Sequence, residues 1–115
     1  MSGISCHVLD TALGRPAAGV EVYLERLSEG ADASWVPLGR ALTNTDGRAT
    51  GLEAPQPREI GLHRLTFETE AYFRRTGQPL FYPRVRVEFL VASLVDKYHV
   101  PLLLSPFGYS TYRGS

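Results

Sequence analysis

The chain has 115 residues, of which 43% are hydrophobic and 21% are charged, and these values are ordinary for one globular domain. Its 12 basic and 12 acidic residues leave no formal net charge, which gives no support for a partner such as nucleic acid or a membrane surface. The start lacks the pattern of a secretory signal and no apolar run approaches the ~20 residues of a membrane span, so we expect a single cytoplasmic domain over residues 1–115.

The first predicted element is a strand, "ISCHVLD", with strict alternation along its length. Ile4, Cys6 and Val8 would share one face, and Ser5 and His7 would share the other. Cys6 is the one cysteine in the sequence, which fits a small buried residue in a reducing compartment. A second interpretation makes Cys6 a nucleophile activated by His7, but neighbouring strand residues point to opposite faces.

The middle of the chain repeats the alternating pattern in "VEVYLER", "HRLTFET" and "RVRVEFLV". "WVPLGRALTNT" reads as a strand that Pro37 confines to a sheet edge or a bulge. Asp46-Gly47 in "NTDGR" predicts a tight turn, because glycine readily supplies the positive φ that such turns require. Glycines and prolines occur along the whole length, which is typical of an all-β sandwich or barrel built from short strands.

One segment, "ETEAYFRRTG", reads as a short helix. Its acidic residues come first and its basic residues last, which complements the helix dipole, and Gly77 suits the C-terminal cap. The last two predicted strands are "YHVPLLLS" and "YSTYR", separated by the turn "SPFG". The prediction is therefore seven or eight short strands and one helix of about two turns.

Three histidines and one arginine stand out as candidates for chemistry. His7 lies mid-strand on a polar face, whereas His63 opens a strand beside Gly61 and reads as a solvated strand end. His99 precedes an aliphatic run, so burial would favour its neutral form, and Lys97 two residues away would do the same. Arg48 follows the Asp-Gly turn, where its guanidinium could bind a planar anionic ligand, although the local sequence by itself favours a plain surface role.

Several common kinds of site are not indicated. The histidines are far apart and no carboxylate cluster accompanies them, so we expect no metal site. The glycine-rich phosphate-binding motifs and the G-x-S-x-G motif of serine hydrolases do not occur in the sequence.

Three stretches together resemble the transthyretin-like 5-hydroxyisourate hydrolase family: "SCHVLDTALGRPAAGVEVYLERL", "TNTDGRATGL" and "YHVPLLLSPFGYSTYRGS". The resemblance covers essentially the whole chain, and the ending "YRGS" separates the family's hydrolases from the hormone carrier transthyretin. It implies a β-sandwich of two four-stranded sheets with one short helix. It also implies a homotetramer, a dimer of dimers, with active sites in the channel between dimers.

The same resemblance implies the reaction and its residues. The substrate would be 5-hydroxyisourate, whose ring amide is opened by a histidine-activated water to give 2-oxo-4-hydroxy-4-carboxy-5-ureidoimidazoline, without metal or organic cofactor. The implied catalytic residues are His7, Arg48, His99 and Ser115. The implied substrate-binding residues are His7, Arg48, Tyr112, Arg113 and Gly114. Ser115 and the terminal carboxylate would orient a histidine.

The chain departs from the family pattern at Lys97, where many members have a histidine. We expect Lys97 to help keep His99 neutral or to attract an anionic substrate. Two alternatives to hydrolysis are a small-ligand carrier, which would line its channel with apolar residues, and an interaction module that has lost its activity.

Overall fold

The structure is a computed structural model that describes residues 3–53 and 57–115. Within those ranges it contains nine strands and one helix, which confirms the predicted all-β class. The strands are β1 (Ile4–Asp10), β2 (Arg15–Pro16), β3 (Glu21–Leu27), β4 (Trp35–Leu42), β5 (Arg48–Ala49), β6 (Gly61–Glu68), β7 (Val85–Val91), β8 (Tyr98–Ser105) and β9 (Gly108–Thr111). Nothing helical in the described ranges meets the requirements of a membrane-spanning segment.

The strands form two open sheets, and each sheet has two edge strands. One sheet has the order β4-β3-β6-β7 and is antiparallel throughout. The other has the order β2-β1-β8-β9, in which β1 and β8 run parallel, and the two-residue strand β5 also pairs with β1. This fifth strand is the one departure from the expected pair of four-stranded sheets.

The core lies between the sheets and follows from the alternation in the sequence. Ile4, Cys6 and Val8 of β1 are fully buried, and so are Leu65 and Phe67 of β6. Fully burying one side chain of this size stabilises the fold by about 1.5–3 kcal/mol. Strand β4 lies at a sheet edge, and its pairing with β3 shifts register near Pro37, as expected.

The helix α1 spans Glu70–Arg75, inside the predicted segment. Gly77 follows it with a φ of +69°, the left-handed conformation that favours glycine at a helix end. Tyr72 and Phe73 are the buried residues of the helix, and the Tyr72 hydroxyl donates a hydrogen bond to the Asp10 carboxylate at 2.6 Å. This contact fastens the helix to the end of β1.

The expectation for His63 was wrong, because this side chain is buried rather than solvated. His63 shares the inner face of β6 with Leu65 and Phe67, and its ring packs against Phe89 with 5.9 Å between centroids. Burial lowers the pKa of His63, and its Nδ1 lies 3.0 Å from the carbonyl oxygen of Gly61. The residue therefore belongs to the packing of the second sheet.

Candidate active site

The outer face of β1 provides the first two polar side chains of the site. Ser5 and His7 are half-buried and alternate with fully buried core residues, as the period-2 pattern predicted. The parallel partner strand β8 aligns His99 with Ser5 and Pro101 with His7. Because residues paired across a sheet project from the same face, Ser5, His7 and His99 meet on one surface.

The Asp-Gly turn places Arg48 beside His7. Gly47 has a φ of +78°, and the Asn44 side-chain oxygen accepts hydrogen bonds from the backbone N–H groups of Asp46 (2.9 Å) and Arg48 (3.0 Å). The turn is held against β1 by a 2.7 Å hydrogen bond from the Val8 N–H to the Gly47 carbonyl. Arg48 then pairs with His7 in register through β5.

Residues 112–115, called here the C-terminal segment, turn back over His99 after β9 ends. The Gly114 N–H donates a 2.8 Å hydrogen bond to the His99 carbonyl, and the two residues form an isolated bridge. A Cβ atom on Gly114 would lie 2.5 Å from Cδ2 of His99, which is closer than van der Waals contact allows. Glycine is therefore required here for the close approach of the segment to the imidazole.

These elements enclose a cavity of about 570 Å³, called here the site cavity. Six predicted site residues line it: His7, Arg48, His99, Tyr112, Gly114 and Ser115. Ser5 and Lys97 also line it, and none of its lining residues in the described ranges is an aspartate or a glutamate. Arg48 and Lys97 therefore place two basic side chains at the cavity, which favours an anionic or carbonyl-rich ligand.

The structure does not bring the side chain of Arg113 to the site cavity. Its guanidinium lies over the Tyr98 ring, 4.5 Å from the centroid, and donates a 3.2 Å hydrogen bond to the Lys97 carbonyl. These two contacts hold the C-terminal segment against the start of β8. A positioning role fits this geometry better than the direct substrate contact that the resemblance implied.

His7 is held in one tautomer by its backbone partner. Its Nε2 lies 2.8 Å from the Asp46 carbonyl oxygen, and a carbonyl oxygen can only accept a hydrogen bond. Nε2 therefore carries the proton, and in a neutral ring Nδ1 has the free lone pair. This nitrogen can accept a proton or a hydrogen bond from a bound water.

His99 has a hydroxyl partner and a lowered pKa. Its Nδ1 lies 2.8 Å from Oγ of Ser5. Partial burial lowers the pKa of His99, and electrostatic repulsion from Arg48, and from His7 when that ring is protonated, lowers it further. The expected contribution of Lys97 to this shift is not among the causes, which corrects that part of the sequence interpretation. A neutral imidazole near pH 7 is the form that a general base requires.

Two contributors to the site were missed from the sequence, Ser5 and Asn44. Ser5, not Ser115, forms the hydrogen bond to the His99 ring in the described residues. The signal for Ser5 was present, because it lies two residues from His7 on the same strand face. Asn44 stands at the start of the quoted turn motif, where asparagine commonly bonds the backbone two residues on.

The alternative role for Cys6 is wrong. Its side chain belongs to the buried core, and burial raises the pKa of the thiol to about 12. The thiolate needed for nucleophilic attack is then negligible near neutral pH. In the described ranges, no three His, Cys, Asp or Glu side chains are grouped closely enough to hold a metal ion.

Comparison with known proteins places the chain among relatives of matching length and fold. Its sequence is 47% identical over 114 residues to the 5-hydroxyisourate hydrolase of Mus musculus, covering 99% of this chain and 96% of the mouse protein. The Klebsiella pneumoniae 5-hydroxyisourate hydrolase structure is 40% identical, with a TM-score of 0.81 and full coverage of both chains. Transthyretin from Sparus aurata is 28% identical, with a TM-score of 0.88 over 96% of this chain and 95% of that chain. The model of the HIUase/Transthyretin family matches residues 4–114, and the chain belongs to that family.

Proposed function

We propose that this protein is a hydrolase that opens the ring amide of 5-hydroxyisourate in urate catabolism. The observation that carries the proposal is the convergence of two imidazoles, a guanidinium and the C-terminal segment on one cavity without acidic side chains. The relatives named 5-hydroxyisourate hydrolase, at 40–47% identity over the whole chain, support the choice of substrate.

Hydrolysis begins with the activation of a water molecule in the site cavity. His99 accepts a proton from the water at Nε2, while His7 Nδ1 accepts the water's other hydrogen as a hydrogen bond and orients it. The resulting hydroxide forms a C–O bond at the ring carbonyl carbon. Arg48 stabilises the negative charge that develops on the carbonyl oxygen. The C–N bond then breaks, and the proton held by His99 passes to the departing nitrogen.

Substrate contacts fall to the C-terminal segment. Tyr112 and Gly114 form one wall of the cavity, and Ser115 lies beside them where its hydroxyl can bond a polar edge of the ring. Arg113 acts indirectly, by holding this wall through Tyr98 and the Lys97 carbonyl. Water is the nucleophile, His99 accepts its proton and Arg48 stabilises the developing charge, so the proposed reaction draws on side chains of this protein and calls for no metal or organic cofactor.

The test is to add purified protein to freshly generated 5-hydroxyisourate and to follow its ultraviolet absorbance. We expect decay well above the spontaneous rate, and loss of most of that increase in His99→Ala and in Arg48→Ala, each with unchanged oligomeric mass. Wild-type decay at the spontaneous rate would overturn the proposal. Loss of assembly in either variant would assign that residue a structural role instead.

The same assay separates a hydrolase from a small-ligand carrier. The fold does not discriminate between them, because a transthyretin superposes on this chain with a TM-score of 0.88. The wall of the site cavity does discriminate, since imidazole and guanidinium groups suit proton transfer and charge stabilisation rather than burial of an apolar ligand. Binding of an aromatic ligand without turnover of 5-hydroxyisourate would favour the carrier.

The proposal extends to a homotetramer arranged as a dimer of dimers. Strands β7 and β9 lie at sheet edges, where unpaired backbone groups can pair with a second copy. Large apolar side chains are exposed near these edges, including Leu90, Val95 and Phe107. Light scattering coupled to size exclusion should give four times the chain mass of 12.7 kDa. A monomeric mass at assay concentration would contradict this assembly.

We place the enzyme in the cytoplasm, on the ground that its single cysteine is a free thiol. Cell fractionation with an antibody to the native protein tests this location, and recovery in the periplasmic or secreted fraction would contradict it.

A further inference from the structure

The hydroxyl of Ser5 is the hydrogen-bond partner of Nδ1 in the His99 ring. The two residues are 94 positions apart in the chain, and the parallel register of β1 and β8 makes them direct neighbours on the site face. Ser5 Oγ lies 2.8 Å from His99 Nδ1, within ordinary hydrogen-bond distance, and Ser5 also lines the site cavity.

We propose that Ser5 is a positioning residue that accepts a hydrogen bond from Nδ1–H of His99 and thereby leaves Nε2 unprotonated for the reaction. The inference rests on the proposed hydrolysis, in which Nε2 takes the proton of water. A serine oxygen has two lone pairs and one rotating hydrogen, so it can accept from Nδ1–H in both the neutral and the protonated ring. The imidazole then keeps the same partner and orientation through the proton transfer.

The surroundings of His99 make such a partner useful. The charged or titratable side chains that line the cavity with His99 are those of His7 from β1, Arg48 from β5, Lys97 before β8 and Tyr112 from the C-terminal segment, and Ser115 ends that lining. Arg48 and His7 oppose a positive charge on His99, whereas an acceptor at Nδ1 favours it. Ser5 therefore stabilises the imidazolium that forms once water has lost its proton.

The first measurement reads the tautomer directly, without any substrate. Nitrogen-15 NMR of the histidine side chains at neutral pH should show Nδ1 of His99 protonated and Nε2 unprotonated in the wild type. Threonine and valine have nearly the same volume, but threonine keeps a hydroxyl where valine has a methyl group. Comparing Ser5→Thr with Ser5→Val therefore isolates the hydrogen bond. Both are β-branched residues that suit a strand, which protects the fold. We expect the wild-type pattern in Ser5→Thr and its loss in Ser5→Val.

The second measurement is the pH profile of turnover. A hydrogen bond to a charged group corresponds to about tenfold to hundredfold in rate, so Ser5→Val should lose that much kcat while KM changes little. The acidic limb of its profile should move to lower pH, and Ser5→Thr should restore both properties. Ser110→Ala removes an exposed hydroxyl from β9 and should change neither.

The outcomes separate this inference from the proposed function. Unchanged His99 nitrogen signals in a folded Ser5→Val protein would overturn the role of Ser5, even with full wild-type hydrolysis. Absent wild-type hydrolysis would overturn the proposed function, while the tautomer measurement would still decide the hydrogen bond. Equal activity of the Thr and Val variants would also overturn the role of Ser5.

Discussion

Replacing Gly114 with alanine tests whether the C-terminal segment must contact His99 for hydrolysis. The added Cβ would lie 2.5 Å from Cδ2, 3.2 Å from Cγ and 3.4 Å from Cβ of His99. Carbon atoms normally pack at about 3.5–4.0 Å, so the backbone of the segment must withdraw by roughly 1 Å. The wall of the site cavity would move by the same amount.

The effect on stability should be small, because the displaced segment is short and exposed. Withdrawal breaks the Gly114 N–H bond to the His99 carbonyl, which is worth about 0.5–1.5 kcal/mol. It also weakens the contact of Arg113 with Tyr98, worth about 0.5–1 kcal/mol at an exposed position. We therefore expect the free energy of unfolding to fall by no more than about 2.5 kcal/mol.

The effect on activity should be much larger than the effect on stability. A displacement of about 1 Å in a positioned group reduces the rate by about 100-fold. The assay is initial-rate hydrolysis of 5-hydroxyisourate, run beside chemical denaturation of the same preparation. Gly108→Ala is the matched control, because its Cβ would meet only Ser105 Oγ at an ordinary 3.9 Å. Full activity in Gly114→Ala with normal stability would refute a catalytic role for this contact.

Three further changes test other parts of the molecule. Arg113→Ala should reduce kcat/KM about tenfold through loss of its cation–π and backbone contacts, with Arg113→Lys intermediate, in steady-state assays. Lys97→Gln should raise KM by about two- to fivefold and leave the acidic limb of the pH profile in place, because Lys97 is exposed and does not set the pKa of His99. Burial raises the pKa of Asp10, but hydrogen bonds led by the one from Tyr72 outweigh it and lower the pKa overall. The stability that Asp10 contributes is therefore present above its unfolded pKa of about 3.9 and is lost as the pH falls through the folded pKa. In chemical denaturation, Asp10→Asn should have a lower free energy of unfolding than the wild type at neutral pH, and this difference should shrink as the pH is lowered.

Local patterns in the sequence predicted the strands and the positions of most site residues. Alternation in β1 assigned Ile4 to the core and His7 to the outer face, and the Asp-Gly pair predicted the turn before Arg48. Each of these inferences depends on neighbours within a few residues. The same alternation places His63 on the inner face with Leu65, two residues along the strand. A position near the start of a strand is therefore a weaker guide to solvent exposure than the alternation itself.

Contacts between distant strands could not be read in this way. The bond between Ser5 and His99 depends on which strand lies beside β1, on their parallel direction and on an exact register. A shift of one residue in that register would pair Ser5 with Tyr98 or Val100, which belong to the core, and would turn His99 away from the site. The direction of the Arg113 side chain likewise depends on the position of Tyr98, which no local pattern encodes.

The alternation that builds the core also explains how one fold supports a hydrolase and a carrier. Inward residues such as Ile4 and Val8 hold the sheets together, whereas outward residues such as Ser5 and His7 face the cavity and contribute little packing. Substitutions at such outward positions leave the core between the sheets intact, so they can change the chemistry without loss of the fold. A transthyretin of 28% identity retaining nearly the same backbone is the result that this separation predicts. Function in this family should therefore be read from the outward face of β1, the register of β8 and the C-terminal segment, and not from the backbone.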